Sequence, residues 1–383
     1  VGEAKKAIEI MDEVESQIGV TEELSYQKRD LYIKMGDKKN AIKTIQDLVD
    51  AFPDEPMHIG ALAETYQMVG DIDKAFEYYQ KLLSIDPNNG VAHFSMFQLY
   101  VNLQKDDLAI ESLKKAFLSD DVTIDLKIEV LLKMYEMNSE KYNKPSYDLL
   151  DILTQIHPND AKTYSIYGDF LNRDRRVKEA VEKYRKAVRL DQTKFTIWNQ
   201  IMILEAQSNQ FDSLQSDSEK AMELFPSQPS FYLFNGLANI QQKNYEKAIE
   251  SLNTGRVLVV DDKIVLSQFY QYLADAYHNT EEHENSDKYY EKYLEIDPNN
   301  ASVLNNYSYY LSLRKHKLSK AEEMMIRVNK MYPNNATFLD TYGWVLYQQE
   351  KYEEAKEKLK SSLDNGGSKS GEVLEHYGDA LFQ

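Results

Sequence analysis

The sequence predicts an all-α solenoid, a stack of helix pairs running the length of the chain. Three observations carry that prediction. Tyr32, Tyr66 and Tyr100 recur at intervals of 34 residues, as do Ala7, Ala41, Ala75 and Ala109. Pro53 and Pro87 keep the same interval, and so do Ala321 and Ala355. Composition agrees, because Pro (9) and Gly (14) are scarce while 28% of the 383 residues are charged, as suits helices. A fixed period between 20 and 50 residues marks one supersecondary unit stacked many times.

The elements run in chain order. A lone second-type helix, helix B, is expected over 3–18. Ten helix A–helix B pairs then start near 22, 56, 90, 125, 161, 195, 229, 267, 302 and 336, and a lone helix A opens at 371. The pair at 56–89 shows why. Its helix A carries Ile59, Leu62, Ala63 and Tyr66, an i, i+3, i+4, i+7 stripe. Gly70 can take the left-handed conformation that ends it, and Asp71 can cap the next helix. Helix B carries Ala75, Tyr79 and Leu82, and Asp86-Pro87-Asn88-Asn89 closes it, since Pro cannot donate to a continuing helix. Each helix should span about 12–15 residues, roughly 20 Å. Two stretches break the register. Residues 138–145 are expected to lengthen an inter-helix turn, and residues 261–266 delay the next helix A, so Val260 and Pro298 stand 38 apart. The domain expectation is one solenoid over 1–383 with candidate segment breaks near 138–145 and 261–266. Length alone would point to two or three globular domains, but a solenoid has no single-core limit.

This pattern resembles the tetratricopeptide repeat (TPR), a helix–turn–helix of the form W-x2-L-G-x2-Y…A-x3-F…P. Residues 161–192 supply Tyr164, Tyr167, Gly168, Ala180, Tyr184 and Ala187; residues 195–226 supply Trp198, Ala221 and Pro226, with Leu214 where a small residue is usual. Residues 229–260 give Tyr232, Gly236, Ala248 and Leu252, and residues 336–367 give Leu339, Tyr342, Gly343, Leu346, Ala355 and Leu359. The resemblance implies a right-handed TPR superhelix, in which small residues on helix A and Ala on helix B let paired helices approach closely.

Several function classes recede. A net charge of −18 disfavours a nucleic-acid groove or an anionic membrane surface, and no apolar run reaches the ~18 residues of a membrane-spanning helix. With no cysteine, disulfides and thiolate metal sites are excluded. No catalytic or phosphate-binding motif occurs. The seven histidines are scattered, and of the nearest pair, His278 and His283, the second is expected to fall in the turn at Thr280-Glu281-Glu282. No catalytic residue, metal or cofactor is expected. The Asn-Ala-Ser and Asn-Ala-Thr sequences at Asn300 and Asn335 read as helix-entry turns, and most of the 28 tyrosines as core.

The TPR resemblance places the functional surface on the inner side of the superhelix, lined by helix A. In that frame the ninth position of helix A holds Asp30, Glu64, Asp169, Asp275 and Asp379, and the fifth holds Asp340; Asn199, Asn305, Tyr309, Trp344 and Tyr347 complete the groove. The Lys/Asn/Arg clamp of carboxylate-binding TPR co-chaperones is missing, because the fifth and ninth positions read Gly60/Glu64, Phe94/Gln98, Ser165/Asp169 and Gln271/Asp275. An acidic groove without counter-ions implies a polar or basic protein or peptide partner.

The last hundred residues carry a narrower resemblance. Asn305-Asn306-Tyr307-Ser308-Tyr309-Tyr310-Leu311, Asp340-Thr341-Tyr342-Gly343-Trp344-Val345-Leu346-Tyr347 and Glu375-His376-Tyr377-Gly378-Asp379-Ala380 occur in that order. They are similar to bacterial exported TPR proteins, many of them outer-membrane lipoproteins, with Ser308 where Gly is usual and Thr341 where Ser is. In one branch of that family the solenoid wraps and activates a carboxyl-terminal processing protease. The resemblance implies a non-catalytic scaffold or adaptor on the periplasmic side of a bacterial outer membrane, with the cytoplasm as the other location. Two further readings stand: the TPR arm of a larger enzyme such as a glycosyltransferase, and a groove-binding carrier for a small ligand or glycan. The chain opens at Val1 inside a helix and stops at Gln383 in mid-pattern, so a longer protein is expected, with any lipid anchor outside this stretch.

Overall fold

A computed structural model describes residues 2–383; Val1 lies outside the described residues. Among those residues no strand occurs, and 22 α-helices succeed one another. They fall into two compact units, Val1–Leu190 and Asp191–Gln383. The first holds α1 (Gly2–Ile18), then the pairs α2 (Glu22–Lys34) and α3 (Lys38–Ala51), α4 (Pro56–Val69) and α5 (Ile72–Ile85), α6 (Gly90–Asn102) and α7 (Asp106–Leu118), α8 (Ile124–Met137) and α9 (Glu140–Ile156), α10 (Ala161–Arg173) and α11 (Val177–Leu190). The second holds α12 (Phe195–Gln207) and α13 (Phe211–Leu224), α14 (Pro229–Gln241) and α15 (Tyr245–Arg256), α16 (Lys263–Asn279) and α17 (His283–Ile296), α18 (Ala301–Leu313) and α19 (Leu318–Met331), α20 (Ala336–Gln348) and α21 (Tyr352–Asp364), then α22 (Gly371–Phe382). Even-numbered helices are helices A and odd-numbered ones helices B.

The predicted punctuation forms the turns. Gly70 sits at φ 85° after α4, and Asp71 accepts from the Lys74 amide at 3.2 Å to start α5. Asn300 and Asn335 cap α18 and α20 by accepting from Val303 and Phe338. Such caps contribute about 1 kcal/mol each. Close approach is built from small residues. Ala75 and Ala355 are fully buried, and a Cβ at Gly343 would lie 2.5 Å from Leu359 Cγ. Ser308, where the resemblance implies glycine, is accommodated because its hydroxyl donates to the Leu304 carbonyl oxygen at 2.7 Å and lies 3.2 Å from that of Ala321.

Both register breaks lengthen a helix. Residues 140–145 are the opening of the 17-residue α9, so the inter-helix turn is not lengthened as expected; Asn138 ends α8 in a left-handed cap and Pro145 lies inside α9. The delay before α16 is likewise one extra turn of helix, started at Lys263 and capped by Asp262. The pair α8–α9 departs from the pattern in another way, because α9 packs on α7, the preceding helix B. In the second unit one core runs from Tyr232 to Ala380, with Tyr290 and Tyr307 fully buried and stacked at 4.9 Å.

Candidate functional site

Several consecutive helices A touch one another, α2 with α4 and α8 with α10 in the first unit and α12–α14, α14–α16, α18–α20 and α20–α22 in the second. Each unit therefore has one side made of helices A, which carries the predicted site residues. Asp30, Glu64 and Asp169 lie on the first unit; Asn199, Asp275, Asn305, Tyr309, Asp340, Trp344 and Tyr347 lie on the second.

The carboxylates are not the free array the sequence implied. Asp30 and Glu64 are exposed, but Arg29 stands between them, 2.9 Å from each, so a counter-ion is present. Asp169 and Asp275 are half-buried acceptors. The Tyr184 hydroxyl donates to Asp169 at 2.6 Å, and the Tyr290 hydroxyl donates to Asp275. Burial raises both carboxyl groups, Asp275 to about 6, and the tyrosine bond offsets only part of that. Asp340 is 7% exposed and 3.0 Å from His376 Nδ1. Asn305, 6% exposed, is buried also, and its Oδ1 has no partner. Asn199 is half-buried. An open acidic groove through these residues is thus corrected: packing absorbs most of them.

The structure does gather Tyr309 of α18 and Asp340, Trp344 and Tyr347 of α20 beside α22. Trp344 stacks on Tyr347 at 4.9 Å and on His376 at 4.0 Å, a three-ring stack joining α20 to α22. The Tyr309 hydroxyl donates to Glu372, which ties α18 to α22, and burial with that carboxylate raises the phenol. Glu372, Glu375 and Asp379 form an exposed i, i+3, i+7 stripe on α22, and no Lys or Arg among the described residues pairs with them. Here acidic and aromatic side chains meet on one surface.

His283 is the first residue of α17 rather than part of a turn; its ring is 5.9 Å from His278, and no group of three metal-ligating side chains occurs among the described residues. Sequence reading missed Arg29, His376 and Glu372. It also missed the tyrosines that engage Asp169 and Asp275, although their common spacing of fifteen residues was a usable signal.

Four segments match tetratricopeptide repeat family models: residues 30–55, 60–89, 267–300 and 289–323. The matches at 60–89 and 267–300 fall on the pairs α4–α5 and α16–α17, whereas 289–323 runs from within α17 across α18 into α19 and 30–55 from the end of α2 through α3. The chain is a tetratricopeptide repeat protein. This TPR chain is 22% identical over 268 residues to human sperm-associated antigen 1, covering 69% of the chain and 28% of the relative. To anaphase-promoting complex subunit 3 of Schizosaccharomyces pombe it is 20% identical over 235 residues, covering 60% and 34%. It thus spans about a third or less of the length of these curated relatives. A solved TPR protein from Parabacteroides merdae is 16% identical, with a TM-score of 0.48, covering 67% of this chain and 98% of that one.

Proposed function

We propose that this TPR chain is a non-catalytic adaptor that holds a polar or basic segment of another protein against its helices A, in the envelope of a bacterium, with a carboxyl-terminal processing protease as one class of partner. The carrying observation is the surface of α18, α20 and α22, where the stripe Glu372, Glu375 and Asp379, with no Lys or Arg partner among the described residues, borders half-buried Tyr309, Trp344 and Tyr347. A one-sign charge stripe raises the encounter rate of an oppositely charged partner, and aromatic side chains are the commonest anchors once it docks. The envelope location rests on the likeness of residues 305–380 to exported TPR proteins.

Site-specific photocrosslinking tests this reading. A photoreactive residue at Tyr347 should capture one discrete partner from bacterial membranes, and less of it as salt rises. The same residue at Glu353, exposed on helix B α21, should not. Equal capture at both positions, or capture indifferent to salt, would refute the proposed face.

A further inference from the structure

The helix-A side of the first unit contains a cleft of about 630 Å³ between α2, α4 and α6. Its floor is small or apolar: Gly60 and Ala61 on α4, Ala92 and Ser95 on α6, with Leu82 of α5 behind them. Gly60 keeps it open, because a Cβ there would already lie 3.2 Å from Leu82 Cδ2. The matching positions of three other pairs carry the larger Phe94, Asn199 and Gln271, while Ser165 in a fourth is small but still carries a Cβ and a hydroxyl. Met57 and Val91 stand at the rim, 58% and 55% exposed.

The charge left unmatched in the cleft is negative. Arg29 reaches it, but the guanidinium is held by Asp30 and Glu64 and lies over the Tyr26 ring at 5.2 Å, so its charge is already matched. Asp86 and Asp121 also line the cleft. Asp86 accepts from the Asn88 amide and the Asn89 side chain, and Asp121 from the Ser119 hydroxyl and the Gly90 amide. These are neutral donors, and neither carboxylate has a Lys or Arg partner among the described residues. The two carboxylates come from different turns, as a compact ammonium with freely turning donors can match and a flat guanidinium fork matches less well.

We propose that this cleft is a socket for one lysine side chain of a partner segment, its methylene stem against Met57, Val91 and the small-residue floor and its ammonium at Asp86 and Asp121. The proposal rests on the helix-A side being the docking side. It adds a second, specific anchor to the face of α20 and α22, on a unit whose sequence-predicted groove residues Asp30, Glu64 and Asp169 include no aromatic side chain.

The test uses the full chain with methyl-labelled methionine, its Met57 signal assigned through Met57→Leu. The probe is a short glycine–serine peptide carrying a single lysine. Met57 should shift on titration and saturate. The same peptide with acetyl-lysine, which keeps the stem and loses the charge, should bind at least five-fold more weakly. Ser95→Trp, which fills the floor, should abolish the shift, and the isosteric pair Asp86→Asn with Asp121→Asn should weaken binding at least five-fold, each with an unchanged far-ultraviolet circular dichroism spectrum. An unmoved Met57, equal response to acetyl-lysine, or indifference of the folded variants overturns the socket. Crosslinking at Tyr347 with no Met57 response would retire the socket and leave the adaptor reading standing; failure of both would retire both.

Discussion

Two side chains three residues apart on α16 titrate in opposite senses. Burial lifts the Asp275 carboxyl to about 6, so the folded chain holds that proton more tightly than the unfolded chain. Its contribution to stability is full below the ordinary aspartate value and is lost as pH rises through about 6. His278 is pushed down to about 4 by burial, then by the Arg314 and His283 charges, and stacks on Tyr310 at 3.6 Å. Its contribution is present above the ordinary histidine value and is lost as pH falls toward 4. The slopes oppose each other between pH 4 and 6, each at most about 1.4 kcal/mol per pH unit. Relative to wild type, Asp275→Asn should make the melting temperature climb with pH across that window, and His278→Phe, which keeps a ring on Tyr310, should make it fall. Difference profiles that stay flat would show that neither group titrates with folding. Residues such as Asp275 were legible as helix-A face positions from the register alone. Their environment was not, because a hydroxyl fifteen residues downstream can turn toward the carboxylate or away from it without changing the repeat pattern.

Individual helices are set by spacing and by small residues at contacts. Ala75 and Ala355 are fully buried where helix B meets helix A. Ala75→Leu or Ala355→Leu should therefore cost about 1–3 kcal/mol through overpacking, read as a lower urea midpoint with an unchanged slope. An unaltered midpoint in both would mean the helix faces are wrongly assigned. Pair starts were legible to within a residue wherever Gly, Asp, Asn or Pro punctuated the chain. They failed where the register was broken by sequence without a stop. Lys263-Ile264-Val265-Leu266 contains nothing that opposes helix, so α16 begins a turn early. Pro145 reads as a breaker, yet it lies in the second turn of α9, which forgoes one backbone donor there.

Across the molecule most helices touch only their near neighbours in chain order, so stability is close to a sum of local terms. The weakest term should be α8, whose helix B partner also leans on α7 and carries Pro145. Native-state hydrogen exchange should find amides of α8 opening about tenfold more often than those of α6, as expected for a region of low local stability. Equal protection would show that α9 supports both neighbours alike.

The side-by-side placement of α18, α20 and α22 also says something about whatever lies across them. Packed helices sit about 8–10 Å apart, and an extended chain advances about 3.3 Å per residue. A segment crossing this face meets a fresh helix roughly every third residue. The binding motif of such a partner would then be written in its own sequence as a period of three, with the anchoring side chains in phase and the residues between them free to vary.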